Sequence, residues 1–75
     1  MTIQQLRAML KAVPFRPFTL HMADGRAFPI PHPDFLLMSP SGRMAFAFRD
    51  DDECTILDLP LMTEIKFAKP AASHS

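Results

Sequence analysis

In the stretch FPIPHPDF, residues 28–35, prolines occupy every second position: Pro29, Pro31 and Pro33. Proline has no amide hydrogen, so within sheets it is confined to edges, first positions and bulges. Along an extended chain, residues two apart aim their N–H groups at the same side. A strand through Phe28 and Ile30 can therefore pair on one side only, and its missing donors all lie on the other. The stretch predicts an edge strand whose outer side is blunted against pairing with another chain. Beyond His32 it reads as a turn.

The partner of that edge strand lies just upstream, in FTLHMADGRAFPI. Phe18, Leu20 and Met22 alternate with Thr19 and His21, and Asp24-Gly25 is a hairpin turn. Two registers compete. A two-residue turn sets Phe18, Leu20 and Met22 against Pro31, Pro29 and Ala27. A three-residue turn, with Gly25 as a left-handed bulge, sets Leu20 beside Phe28 and Phe18 beside Ile30. A one-residue slip moves a whole set of side chains to the other face, and only the bulged register gathers the large apolar ones together. The bulged register is the expected one.

Ahead of the hairpin, Ile3, Leu6, Leu10 and Val13 recur at helical spacing, which predicts a helix over 3–13 that Pro14 terminates. Thr2 and Gln5 have the form of a capping box at its start. The segment PFRPF, 14–18, is a stiff connector. After the proline stretch come an apolar run over 35–38, the turn SPSG and a strand over 43–49. In that strand Met44, Phe46 and Phe48 are expected to face the core. Ala45 and Ala47 would form a small outer face, able to seat a helix or a partner subunit. The acidic run 50–53 is a loop, residues 54–59 a strand that Pro60 breaks, and 63–67 a last strand with Ile65 and Phe67 inward. One domain spans 1–67, followed by a disordered tail over 68–75.

Composition narrows the function classes. Seventy-five residues lie near the lower limit for an independent core, a regime in which disulfides, metals or oligomerisation usually contribute. Cys54 is the only cysteine, so an intrachain disulfide is excluded and a reducing cytoplasm is implied. Eight basic and eight acidic residues cancel, which weakens nucleic-acid binding as a class without removing it. No apolar run approaches the ~18 residues of a membrane span, and the start has no signal-peptide pattern. The expected address is cytoplasmic, with no membrane partner.

Candidate sites are few. His21, His32, Asp24 and Asp34 lack a recognised ligand spacing, and the acidic run lacks the alternating ligands and glycine of a calcium loop. Cys54 stands beside four acids, a poor setting for a thiolate nucleophile, and reads as a partly buried structural thiol. Met22 and Met44 read as core fillers. No catalytic constellation is present; no enzyme activity, metal or cofactor is expected. Arg26 and Arg43 follow turn glycines and, with Arg16, are the candidates for phosphate contact, while Phe15 and Phe35 are the candidate base-stacking platforms. The candidate interface comprises Ala45, Ala47, Arg49, Leu57 and Leu59, with strand pairing, if any, along 54–59.

The motifs RPFTLHMADGR, HPDF, SPSGR and ILDLPLMTEI resemble those of a family of short uncharacterised bacterial proteins, over residues 3–67. That resemblance implies no activity, and Pro29 and Pro31 fall where the family pattern is expected to vary. The order of a short helix, a strand ending in ADGR, a meander and a closing strand–turn–strand is also similar to Sm-like proteins, small barrels that form rings and bind RNA. The chain departs from them in its neutral charge, in lacking a recognisable RNA-contact motif, and in an extra strand between Arg43 and Leu59. The expected fold is α+β: one N-terminal helix on a twisted antiparallel meander of about five strands, with closure toward an SH3-like or Sm-like barrel left open. The expected function is a non-enzymatic interaction or regulatory module that self-associates or binds another protein. An Sm-like RNA binder is the alternative.

Overall fold

The structure, a computed structural model, describes residues 3–67. Helix α1 (Ile3–Lys11) is followed by strands β1 (Phe18–Met22) and β2 (Ala27–Ile30) and a 3-10 turn over Pro33–Phe35. Strands β3 (Leu36–Met38), β4 (Met44–Phe48) and β5 (Cys54–Asp58), a second 3-10 turn over Leu59–Leu61, and β6 (Met62–Phe67) complete the order. The expected class, one helix with antiparallel strands, holds. Among the described residues there are six strands rather than about five, divided into two three-stranded sheets ordered β2–β1–β6 and β3–β4–β5.

The helix ends at Lys11, two residues short of the expected limit, and Val13 is 96% exposed rather than part of the apolar stripe. Val13 precedes Pro14, and the proline ring disfavours helical geometry in the residue before it. Leu6 is fully buried, with Ile3, Met9 and Leu10 packed around it. Thr2 of the expected capping box and the tail 68–75 lie outside the described residues.

In the first sheet the bulged hairpin register is observed, with Leu20 opposite Phe28 and Phe18 opposite Ile30. The Gly25 amide donates to the Met22 carbonyl (3.0 Å) and the Met22 amide to that of Arg26 (2.9 Å), with Gly25 at φ +91°. Antiparallel pairs alternate between bonded and non-bonded, so Pro29, opposite Thr19, falls at a non-bonded pair. Strand β2 is the sheet edge, as the prolines require.

In the second sheet the expected polarity of β4 is reversed. Ala45 and Ala47 are buried at 1% exposure, whereas Met44 is 45% and Phe46 39% exposed. The register explains why. Ala45 pairs with Leu57, and Ala47 lies between Thr55 and Leu36. Leu57 and Leu36 are core residues, so both alanines must point inward with them. Small residues on the central strand let the two sheets approach while the leucines and phenylalanines around them fill the space.

One apolar cluster joins the helix to both sheets, built on Leu6, Phe18, Leu20, Ile30, Leu57 and Leu59. Backbone bonds extend each ladder by a residue: the Ala23 amide donates to the Leu61 carbonyl at 2.7 Å, continuing β1–β6, and the Leu59 amide to that of Arg43 at 2.9 Å, continuing β4–β5, so the 3-10 turn Leu59–Leu61 carries the chain from one sheet to the other. No helix among the described residues is long and apolar enough to cross a membrane.

Candidate interaction surface

The reversal of β4 places large apolar side chains in solvent. Leu37, Phe46 and Ile56 are direct cross-strand neighbours and form one row across all three strands of the second sheet. Leu37 is 61% and Ile56 59% exposed; Met44 extends the row along β4, and exposed Leu61 lies beside Ile56 at its margin. An open groove of about 420 Å³ runs beside the row, lined by Leu37, Met38, Ser39, Pro40, Met44 and Phe46. Asp58, opposite Met44, is the charged group at the end of this face.

Four of the five expected interface residues lie on the wrong side of this sheet. Ala45, Ala47, Leu57 and Leu59 belong to the chain's own core, at 1% exposure or less. Arg49 is partly exposed, but its guanidinium lies 5.0 Å from the centre of the Phe28 ring and 3.7 Å from the Glu53 carboxylate. It caps the core, in a cation–π geometry. The free face belongs to the same strands, in opposite parity.

The three arginines considered for phosphate contact do not converge. Arg16 stacks on Phe67, 4.0 Å from the ring centre, and Phe67 pairs with Phe18 at one end of β1. Arg26 stands at the other end, where its Nε donates to the Asp24 carboxylate at 2.7 Å. The Arg26 amide donates to the same carboxylate at 3.0 Å, and this bond chiefly holds the Asp24 pKa below its ordinary 3.8, the guanidinium adding to it. Arg43 is exposed, and its carbonyl accepts from Leu59. Phe15 and Phe35 are half-buried against the core rather than free for stacking.

The other candidates resolve as follows. Cys54 is exposed, not partly buried. Met22 is a core residue, whereas Met44 lies on the open face. No group of three or more metal-ligating side chains occurs among the described residues. The acidic run forms the β4–β5 turn, in which the Asp52 amide donates to the Arg49 carbonyl and the Arg49 amide to that of Glu53, both at 2.9 Å. This is the β1–β2 turn geometry again, with Asp52 rather than glycine at positive φ (+67°).

The site missed in the sequence, the outer face of β3–β4–β5, had a signal. Asp58 marks the even positions of β5 as outward, so Leu57 points inward. A three-residue turn between Arg49 and Glu53 then carries Ala45 inward as its partner. Comparison with protein-family models, with curated proteins and with solved structures finds no match.

Proposed function

We propose that this chain is a non-enzymatic interaction module that works by self-association. The observation that supports this reading is the row Leu37–Phe46–Ile56, with Met44 beside it, open to solvent on an ordered sheet. Contiguous apolar patches of about 300–600 Å² on small soluble proteins are commonly functional surfaces. A zero formal net charge adds no long-range repulsion between copies. Light scattering over a dilution series from about 5 to about 500 μM tests the reading, since mass action makes the dimer fraction concentration-dependent. A molar mass rising toward twice that of the chain is expected; a strict monomer throughout overturns it.

The RNA-binding alternative has weaker support. Arg16 and Arg26 are engaged by Phe67 and Asp24 and stand at opposite ends of β1, so those two do not form one cationic patch. Retention of RNA at about 50 mM salt, lost in Arg43→Ala, would favour it, because phosphate contacts are strongest at low salt.

A further inference from the structure

We infer that the occupant of the β3–β4–β5 outer face is the same face of a second copy, packed sheet on sheet about a two-fold axis that runs along β4 at Phe46. The inference rests on the self-association reading and gives it a geometry.

Area is the first argument. Leu37, Met44, Phe46, Ile56 and Leu61 are between 39% and 61% exposed. An aromatic side chain presents about 150–250 Å² when fully exposed and the aliphatic ones less, so the five leave at most on the order of 500 Å² of apolar surface per copy. Two such faces together bury at most about 1,000 Å², the lower bound for a biological interface and the size of a weak, reversible dimer. An unrelated small ligand in the Leu37–Phe46 groove would leave Ile56 and Leu61 uncovered, because neither lines it.

Symmetry is the second argument. Phe46 is the middle of the row, with Leu37 on one side and Ile56 on the other. A two-fold axis along β4 sets Phe46 against its own counterpart, Leu37 against Ile56 of the other copy, and Met44 against Met44. An isologous contact requires this kind of self-complementarity. Ser39 bonds Met44 from one side, its amide donating to the Met44 carbonyl, and Asp58 flanks Met44 from the other. The same axis therefore faces each Asp58 with a Ser39 hydroxyl and keeps the two Asp58 carboxylates apart. The facing sheets would lie ~10 Å apart, as in β-sandwiches.

The edges argue the same way. Pairing through β2 is blocked by Pro29, β3 is three residues long, and β6 carries Glu64 and Lys66. The longer proline-free edges are β5, of five residues, and β6, of six, and joining two copies along either would leave the whole apolar face of β3–β4–β5 uncovered.

The test uses two full-length variants, Leu37→Lys and Ile56→Glu, at exposed sites where neither substitution perturbs the core. Each is measured alone and then in an equimolar mixture by sedimentation equilibrium, at a concentration where the parent chain is dimeric. In the proposed geometry position 37 faces position 56 of the other copy, so each variant alone sets a charge against an apolar side chain, and only the mixture sets the ammonium against the carboxylate. The expected result is a monomer from each variant alone and a mixed dimer when they are combined. Monomers alone and no association on mixing indicate the other two-fold axis, in which like positions meet, and overturn this geometry while self-association stands. Either variant as dimeric alone as the parent places its position outside the contact, as pairing along the β5 edge would for position 37, and overturns the geometry too. A strictly monomeric parent chain overturns the inference and the reading it rests on.

Discussion

Gly42 is the residue whose replacement tests the packing of the helix most sharply. It is buried in the β3–β4 turn at φ +77°, and a Cβ built there would stand 2.5 Å from Ile3 Cγ2 and 3.2 Å from Arg7 Nη2. Two costs add in Gly42→Ala. The left-handed backbone costs a non-glycine residue about 1–2 kcal/mol. Forcing Ile3 aside overpacks the helix–turn contact, a perturbation of about 1–3 kcal/mol. Arg7 anchors the same contact, its guanidinium donating to the Pro40 carbonyl at 2.8 Å, so the helix cannot slide away freely. The sum is about 2–5 kcal/mol in a domain whose whole stability is on the order of 3–10 kcal/mol. Gly25 supplies the control: at φ +91° its Cβ would meet nothing within 4 Å, so Gly25→Ala carries only the backbone cost. Thermal unfolding of both variants should show Gly42→Ala lower in Tm by about 5–20 °C relative to Gly25→Ala, at about 4–8 °C per kcal/mol for a chain of this size. Adding Ile3→Ala should cost less in the Gly42→Ala background than in the parent, because the clash has been relieved. Equal Tm values for the two glycine variants would refute the helix-docking argument.

Three further outcomes follow from the same geometry. Folding lowers the Asp24 pKa, so its carboxylate stabilises the β1–β2 turn above its ordinary 3.8 and ceases to as pH falls through the lowered value. NMR titration of Arg26→Ala should move that pKa upward but leave it below 3.8, since the backbone amide bond survives; a return to 3.8 would make the guanidinium the main cause. At a dilution where the chain is monomeric, Ala47→Leu should cost about 1–3 kcal/mol by chemical denaturation through overpacking, whereas Phe46→Leu on the open face should change stability by less than ~0.5 kcal/mol; the reverse order would restore the phenylalanine face to the core. Asp52→Gly should stabilise the fold by up to about 1 kcal/mol by removing a side chain from positive φ, and a loss of stability would show that the Asp52 side chain supports the turn.

Where one face of a segment differed chemically from the other, the sequence predicted the structure. Asp24-Gly25 fixed the turn, and the parity of Phe18, Leu20, Phe28 and Ile30 fixed the register. The alternating prolines identified an edge before any partner was known. Strand β4 failed because MAFAF is apolar at every position: hydrophobicity carries no parity there, and size is a false guide. Large side chains are favoured inside only where space exists, and between two short sheets that space is already taken by Leu36, Leu57 and Leu59. The interface residues followed that inverted strand onto the wrong face. Val13 was lost to its proline neighbour, and Arg49 to a capping role over Phe28 that only the fold brings about.

The most direct measurement on the central claim is the molar mass of Phe46→Asp by sedimentation equilibrium, beside the parent chain at the same high micromolar concentration. Phe46 points away from the core, so the variant should keep its fold and its Tm to within a few degrees, while a buried carboxylate on the two-fold axis is prohibitive for the dimer. A parent dimer and a folded, strictly monomeric Phe46→Asp is the predicted result. A variant that remains as dimeric as the parent would contradict the claim that this face holds two copies together.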